Sequence, residues 1–384
     1  MHPGQRDFRN PLTLKTPLLL VLSLFLLAGS ARAELAPMPV RAVMMFFPAR
    51  EAQADFLRFI REDLPREGVT HLIVEIDYDY AFTNRPEMAG STTTADVKAV
   101  VAACRDAKVQ LIPLVNCLGH QSWAKKNGRL LTVHPEFDEP PGLYPDNEGI
   151  YCRSYCPNHP GVHAVIFDLL AEIATVFEAQ AVHVGLDEVF LLGEEACPRC
   201  RGRDPAELFA QEVGTLRDFL RSRGLRLWMW GDRLIDGAAT GIGKWEASLN
   251  HTHPAIDLIP KDVVICDCHY ESTPPTTATF ARKGFDVIRC SWNRPAIAVE
   301  QAEDIARLRT ENAANPIGPH GLGVMATIWE PTAKFLPAYR ALRAGEVPPE
   351  KSAAASLAAL FRRVRELEAR PEGADQPASH PPAK

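Results

Sequence analysis

The sequence predicts an α/β fold closed as a single (β/α)8 TIM barrel, and three observations carry that expectation. Short apolar or β-branched runs alternate with stretches of helical period. The alternation occurs eight times. Polar and aromatic residues collect just after the runs, at one end of the expected sheet. Strands alternating with helices imply a parallel sheet, and eight repeats favour closure over a doubly wound sheet. A Gly-x-Gly-x-x-Gly fingerprint after a strand and a lysine-bearing phosphate loop are both missing from the sequence.

Residues 1–33 read as a secretory signal peptide outside the fold. Arg6, Arg9 and Lys15 make a basic start, Leu18 to Ala28 is apolar, and Ala31-Arg32-Ala33 is a small-x-small cleavage site. The apolar run is short for a bilayer span, so export to periplasm or medium is expected, with no membrane contact after cleavage. The catalytic barrel is placed at 34–368. The first strand is Arg41 to Phe47, with a helix over Ala52 to Asp63. Thr70 to Asp77 and the helix Ala95 to Ala107 follow, then the strand Val109 to Val115, a long loop, and the helix Gly161 to Phe177. The fourth strand is Ala181 to Leu186, with a helix from Pro205 to Arg223. The fifth is Leu225 to Trp230, whose only helical candidate is Pro254 to Ile259. Val263 to His269 and Asp286 to Ser291 are the sixth and seventh; the helix Val299 to Thr310 follows the seventh. Gly323 to Trp329 is the eighth, and helical sequence runs from Pro331 to Ala344 and on to Glu368. The Pro-rich stretch 369–384 is expected to be a disordered tail.

Charge is nearly balanced, 42 basic against 48 acidic residues for a formal net charge of −6. Such a chain has no field to gather nucleic acid. Oligomeric state is not legible. Of the nine cysteines, Cys197 and Cys200 make a C-x-x-C pair, and Cys152 and Cys156 lie close in sequence. Zinc ligation, one or two disulfides, and buried free thiols all fit these spacings.

Catalytic groups of a barrel lie at the C-terminal strand ends. Strand two leaves through Glu75-Ile-Asp77, strand three through Asn116 to His120, and strand four through Asp187-Glu188. Strand five leaves through Trp230-Gly-Asp232, six through His269-Tyr270, seven through Trp292, and eight through Trp329-Glu330. Period-two alternation puts His183, Gly185 and Asp187 on one face of strand four. Glu188 has the wrong parity and joins them only if the backbone turns there. Adjacent carboxylates in an apolar pocket repel, so one pKa rises and that group can serve as a general acid.

The stretch His183-Val-Gly-Leu-Asp187-Glu188 matches the His-x-Gly-x-Asp-Glu signature of glycoside hydrolase family 20, the β-N-acetylhexosaminidases. With Val189-Phe-Leu-Leu-Gly193 and Trp230-Gly-Asp232 it resembles the hexosaminidase D-like branch, which lacks a preceding α/β domain. The resemblance implies an amino-sugar glycan substrate, no cofactor and no catalytic metal. It makes Glu188 the acid/base and Asp187 the helper of a substrate 2-acetamido nucleophile, in a retaining, exo-acting reaction. It also implies that Tyr270 meets the acetamido oxygen, that Trp230, Trp292 and Trp329 wall the pocket, and that Glu330, Asp232 and His120 contact substrate. His183 supports Glu188 or Asp187, contacts the sugar, or is a satisfied core histidine. Typical members end strand one with an Asp and an Arg and carry Pro-Glu-x-Asp on strand three. This chain has Phe46-Phe47-Pro48-Ala49-Arg50 and Pro113-Leu114-Val115-Asn116 instead. Two rival readings are a degenerate barrel that binds glycans without cutting, and a metal-dependent hydrolase built on His120, His183, Asp187 and His269.

Overall fold

The structure is a computed structural model and describes residues 37–369. The leader expected over 1–33 lies outside the described residues, as does the tail except for Ala369, which closes the last helix, Ala353–Ala369. No helix among the described residues is long and apolar enough to cross a membrane.

Eight parallel strands close the barrel: β1 (Val40–Phe46), β2 (His71–Glu75), β3 (Gln110–Cys117), β4 (Ala181–Gly185), β5 (Arg226–Trp230), β6 (Val264–Cys268), β7 (Asp286–Ser291) and β8 (Gly321–Ile328). Each pairs with its sequence neighbours, and β8 returns to β1 with Val40 opposite Gly323. Alternation sorts the side chains into two cores. Ala42, Met44, Ile73, Trp228 and Met325 pack inside the barrel. Val43, Met45, Val182, Val184 and Met229 face the helix layer. The polar parity of β4 read from the sequence is therefore the inward one.

The helices follow the expected order, with three differences. The first helix runs past Asp63 to Glu67, and a π turn over Phe59–Asp63 precedes Pro65. A proline lacks the amide that a regular helix needs, and the wider turn accommodates it. The candidate helix Pro254 to Ile259 is only a 3-10 turn, His253–Asp257. The β5–β6 connection is held instead by the buried Arg233 guanidinium, which donates to the Lys244 and Ala247 carbonyls at 2.6 and 2.8 Å. A helix over Thr276–Arg282 was not expected, because its Thr-rich sequence has weak helical propensity. Within the long loop after β3, Ser122–Trp123 and Lys126–Asn127 form a small hairpin.

Candidate active site

The C-terminal strand ends open into a cavity of 590 Å³, within the range of small-molecule sites. Trp230, Tyr270, Trp292, Trp329 and Phe46 line it together with five carboxylates, Glu75 and Asp77 after β2, Asp187 and Glu188 after β4, and Asp232 after β5. Trp123, Tyr151 and Trp245 pack edge-on at the mouth.

The turn that Glu188 required is present. β4 stops at Gly185, and Gly185, Leu186 and Glu188 have φ of 67°, 69° and 49°. These left-handed residues break the alternation and bring two consecutive carboxylates to one side of the cavity. Left-handed backbone costs a non-glycine residue about 1–2 kcal/mol. Across the seam, His120 has φ 52° and Leu118 φ 62°. Strained backbone thus concentrates where β3 and β4 end. Two glycines permit their contact. A Cβ on Gly185 would lie 2.7 Å from Asn116 Oδ1, and one on Gly119 would lie 2.5 Å from the Asp187 carbonyl oxygen.

His120 Nε2 is 3.1 Å from Asp187 Oδ2 and 3.3 Å from Glu188 Oε2. Burial disfavours the imidazolium, but the Asp187 charge, its hydrogen bond and Glu188 outweigh burial and push the His120 pKa up to about 10. Burial likewise opposes ionisation of Asp187, yet His120 holds its pKa below the ordinary value. For Glu188 the pull of His120 and Arg233 is outweighed. Burial and then the Asp187 charge push it up to about 8. At neutral pH the trio is a cation, an anion and a neutral acid. The Glu188 amide donates to Asp232 Oδ2 at 3.0 Å, and Arg233 Nε holds the same oxygen at 2.7 Å. Asp187 Oδ1, Asp232 Oδ1 and the Trp230 indole N–H are buried without hydrogen-bond partners, on residues lining the cavity. Unpaired buried polar atoms are costly in a native fold, and a ligand bound there would satisfy them.

Tyr270 and Trp329 are tied together: the Trp329 indole donates to the Tyr270 hydroxyl at 2.8 Å. The phenol O–H is directed at the Cys268 sulfur, a weak acceptor that a ligand oxygen would replace. Trp292 meets the Tyr270 ring edge-on at 5.6 Å.

Eight of the ten sequence-predicted site residues line the cavity: Asp187, Glu188, His120, Trp230, Asp232, Tyr270, Trp292 and Trp329. Two do not. His183 is fully buried beneath the site, tilted against Trp230 at 4.3 Å, with its Nδ1 accepting from the Gly185 amide. It lies one layer lower in the barrel, and the indole covers it. Glu330 follows the inward Trp329 and turns away to pair with Lys334 at 3.0 Å. Arg50 is exposed and does not line the cavity.

Sequence reasoning named Glu75, Asp77 and Asn116 as strand exits but gave them no role in the site. Asn116 Nδ2 donates to Glu75 at 3.2 Å, and its amide donates to Asp77 at 3.1 Å. Burial, then the Asp77 charge, pushes Glu75 up to about 8; burial pushes Asp77 up to about 6. Their position at two strand exits was the available signal. The histidines do not converge as a metal site, since His269 is taken up by Glu246 and Asp267 at 2.9 and 3.1 Å. Among the described residues the group with metal-ligand spacing is Cys156, Cys197 and Cys200, none of which lines the cavity.

Comparison with known proteins gives one family. The description "Glycosyl hydrolase family 20, catalytic domain" matches residues 67–334. A β-hexosaminidase of Porphyromonas gingivalis is 25% identical over 203 residues, 49% of this chain and 26% of that protein. The chain thus spans about a quarter of that relative's length. A chitobiase of Flavobacterium johnsoniae superposes with a TM-score of 0.57 at 15% identity, covering 86% of this chain and 51% of the other. For a Bacteroides fragilis β-N-acetylhexosaminidase the values are 0.56, 14%, 84% and 66%. For a Vibrio harveyi exo-β-N-acetylglucosaminidase solved with N-acetylglucosamine they are 0.55, 17%, 86% and 57%. At these identities the solved structures speak for the barrel fold.

Proposed function

The chain belongs to glycosyl hydrolase family 20, and from that premise we propose that it is an exported β-N-acetylhexosaminidase. It removes terminal N-acetyl-hexosamine from glycans with retention, using the substrate's own 2-acetamido group as nucleophile. The observation that carries the reading is the split protonation of two neighbouring carboxyls, with Glu188 protonated up to about pH 8 and Asp187 ionised against His120.

Glu188 donates its proton to the glycosidic oxygen as the anomeric C–O bond breaks. The acetamido oxygen attacks the anomeric carbon from the other face and forms an oxazoline. Asp187 accepts the acetamido N–H and offsets the charge that develops there. Glu188, now a carboxylate, removes a proton from water as water opens the oxazoline, which restores both groups. Consecutive carboxylates that share one imidazole nitrogen suit this scheme, because neither has to reach across the ring. The Tyr270 hydroxyl, on moving its proton from the Cys268 sulfur, suits the acetamido oxygen. Glu75, Asp77 and Asn116 suit the sugar hydroxyls, in place of the missing Asp-Arg pair of strand one.

Hydrolysis of aryl N-acetyl-β-glucosaminide and N-acetyl-β-galactosaminide by the wild type and by Glu188→Gln tests the reading. Cleavage blocked by a thiazoline mimic of the oxazoline, and lost in the variant, is expected. Tight sugar binding with no turnover on either substrate would favour the non-cutting barrel instead.

A further inference from the structure

Three thiols meet in the dry space between the two loops that frame the acid pair. Cys156 precedes the helix Val162–Val176; Cys197 and Cys200 sit in the turn ahead of the helix Pro205–Ser222. All three are buried. Cys156 Sγ lies 3.4 Å from Cys200 Sγ and 3.5 Å from Cys197 Sγ. A disulfide would draw one pair to about 2.05 Å and strand the third sulfur. Four ligands about 2.3 Å from a zinc ion stand about 3.8 Å apart, close to the spacing seen. Cys152, which the zinc option read from the sequence would have made a fourth member, is not in the group. Its thiol points at the Glu188 carbonyl, 3.4 Å away.

Two N–H groups face the sulfurs. Asn158 Nδ2 is 3.5 Å from Cys200 Sγ, and the Arg199 amide is directed at Cys197. Such donors stabilise thiolate in a place that otherwise disfavours charge. A carboxylate stands next to Cys197, outside the 4.8 Å circle of the three sulfurs and one side-chain shift from joining it. Glu139 is fully buried, and its Oε1 accepts from the Gly193 and Glu194 amides at 2.9 and 3.2 Å. Its Oε2 is buried with no partner, on a carboxylate that adjoins the Cys197 thiol. A buried carboxylate oxygen met by no N–H or O–H donor, with a weakly donating thiol beside it and two more thiols beyond, is a poor arrangement for a native core unless a cation joins them.

We propose that Cys156, Cys197, Cys200 and Glu139 bind one zinc ion as a closed structural site that pins the β3–helix loop to the β4–helix loop. Four protein ligands leave no open position, so the ion takes no part in hydrolysis. Its work is mechanical. The first loop carries His120 and Tyr151, the second begins at Asp187-Glu188, and the clamp holds their far ends together.

The test is metal analysis of the full chain purified without chelator or reductant, with thiol titration after denaturation. About one zinc per chain is expected, with all nine cysteines titrating as thiols once the metal is sequestered. Cys200→Ser and Cys156→Ser should lose the metal, and Cys104→Ser should keep it. Should the serine variants not fold, cobalt loaded into the stripped wild type gives an independent reading. Strong visible bands with thiolate charge transfer support the site; weak octahedral bands overturn it. Glu139→Gln should weaken zinc affinity by more than about tenfold, the least that even an outer-shell loss costs; unchanged affinity would remove Glu139 as the fourth ligand. Substoichiometric metal with a Cys197–Cys200 disulfide in the peptide map would overturn the proposal.

Discussion

His120 and Asp187 face each other 3.1 Å apart across the seam between β3 and β4. The contact sets the charge of both, and through Asp187 it sets the proton affinity of Glu188. His120→Asn removes the cation while keeping a polar group. Without it Asp187 is no longer held ionised, and kcat should fall about 100-fold, the low end of what proton-handling groups contribute. The acid limb of the kcat profile should move to higher pH. A variant with an unmoved profile would make His120 a bystander.

Glu188 predicts the alkaline side of the same profile. Its proton is needed for the first step, so activity should decline as pH rises through about 8. Stability follows the same titration. The folded pKa lies above the ordinary 4.5, so Glu188 costs nothing at pH 4 and progressively destabilises the fold as pH climbs towards 8. Glu188→Gln should therefore lose activity by about 10²- to 10⁴-fold and yet gain Tm at pH 8–9, with little gain at pH 4. Calorimetry across that pH range checks the sign.

Gly119→Ala tests the close approach of the two loops. The new Cβ would stand 2.5 Å from the Asp187 carbonyl, a backbone atom that cannot rotate away. The barrel lies below this contact and should survive, with normal circular dichroism, while kcat drops by more than tenfold. Normal kcat would mean that the turn is more compliant than its packing suggests.

Tyr270→Phe keeps the ring against Trp292 and removes the hydroxyl that accepts from Trp329. If the phenol proton serves the acetamido oxygen, both kcat and thiazoline affinity should fall. A loss confined to KM would assign the hydroxyl to ground-state binding only.

Much of this site was legible because strands alternate and exit together. The inward parity of β4, and the exits at Trp230, Tyr270, Trp292 and Trp329, follow from a period of two and the closure of the barrel. Residues off that period were harder. Glu188 depends on left-handed residues that only its motif hinted at. His183 has the right face but the wrong height, since alternation fixes direction and says nothing of which layer a neighbouring indole covers. Glu330 failed because the chain leaves the strand register after Trp329. Trp123, Tyr151 and Trp245 come from irregular segments, where no periodicity exists to read. The helix Thr276–Arg282 forms against its propensity, and its Thr276 and Thr277 hydroxyls reach the buried Asp267 at 2.9 and 2.5 Å.

The crowd of carboxylates in the cavity also has a bearing on which sugars it admits. Among the described residues, Glu75, Asp77, Asp187, Glu188 and Asp232 share the space with His120 and Lys126 as the lining cations, and His120 is already committed to the acid pair. With Glu75 and Glu188 protonated near neutral pH, ionised Asp187 still faces a sugar ring bearing a sulfate or a uronate, and the repulsion grows as pH rises through about 8. On the proposed function, sulfated amino sugars should therefore be poorer substrates than neutral ones of the same size, and the more so at alkaline pH.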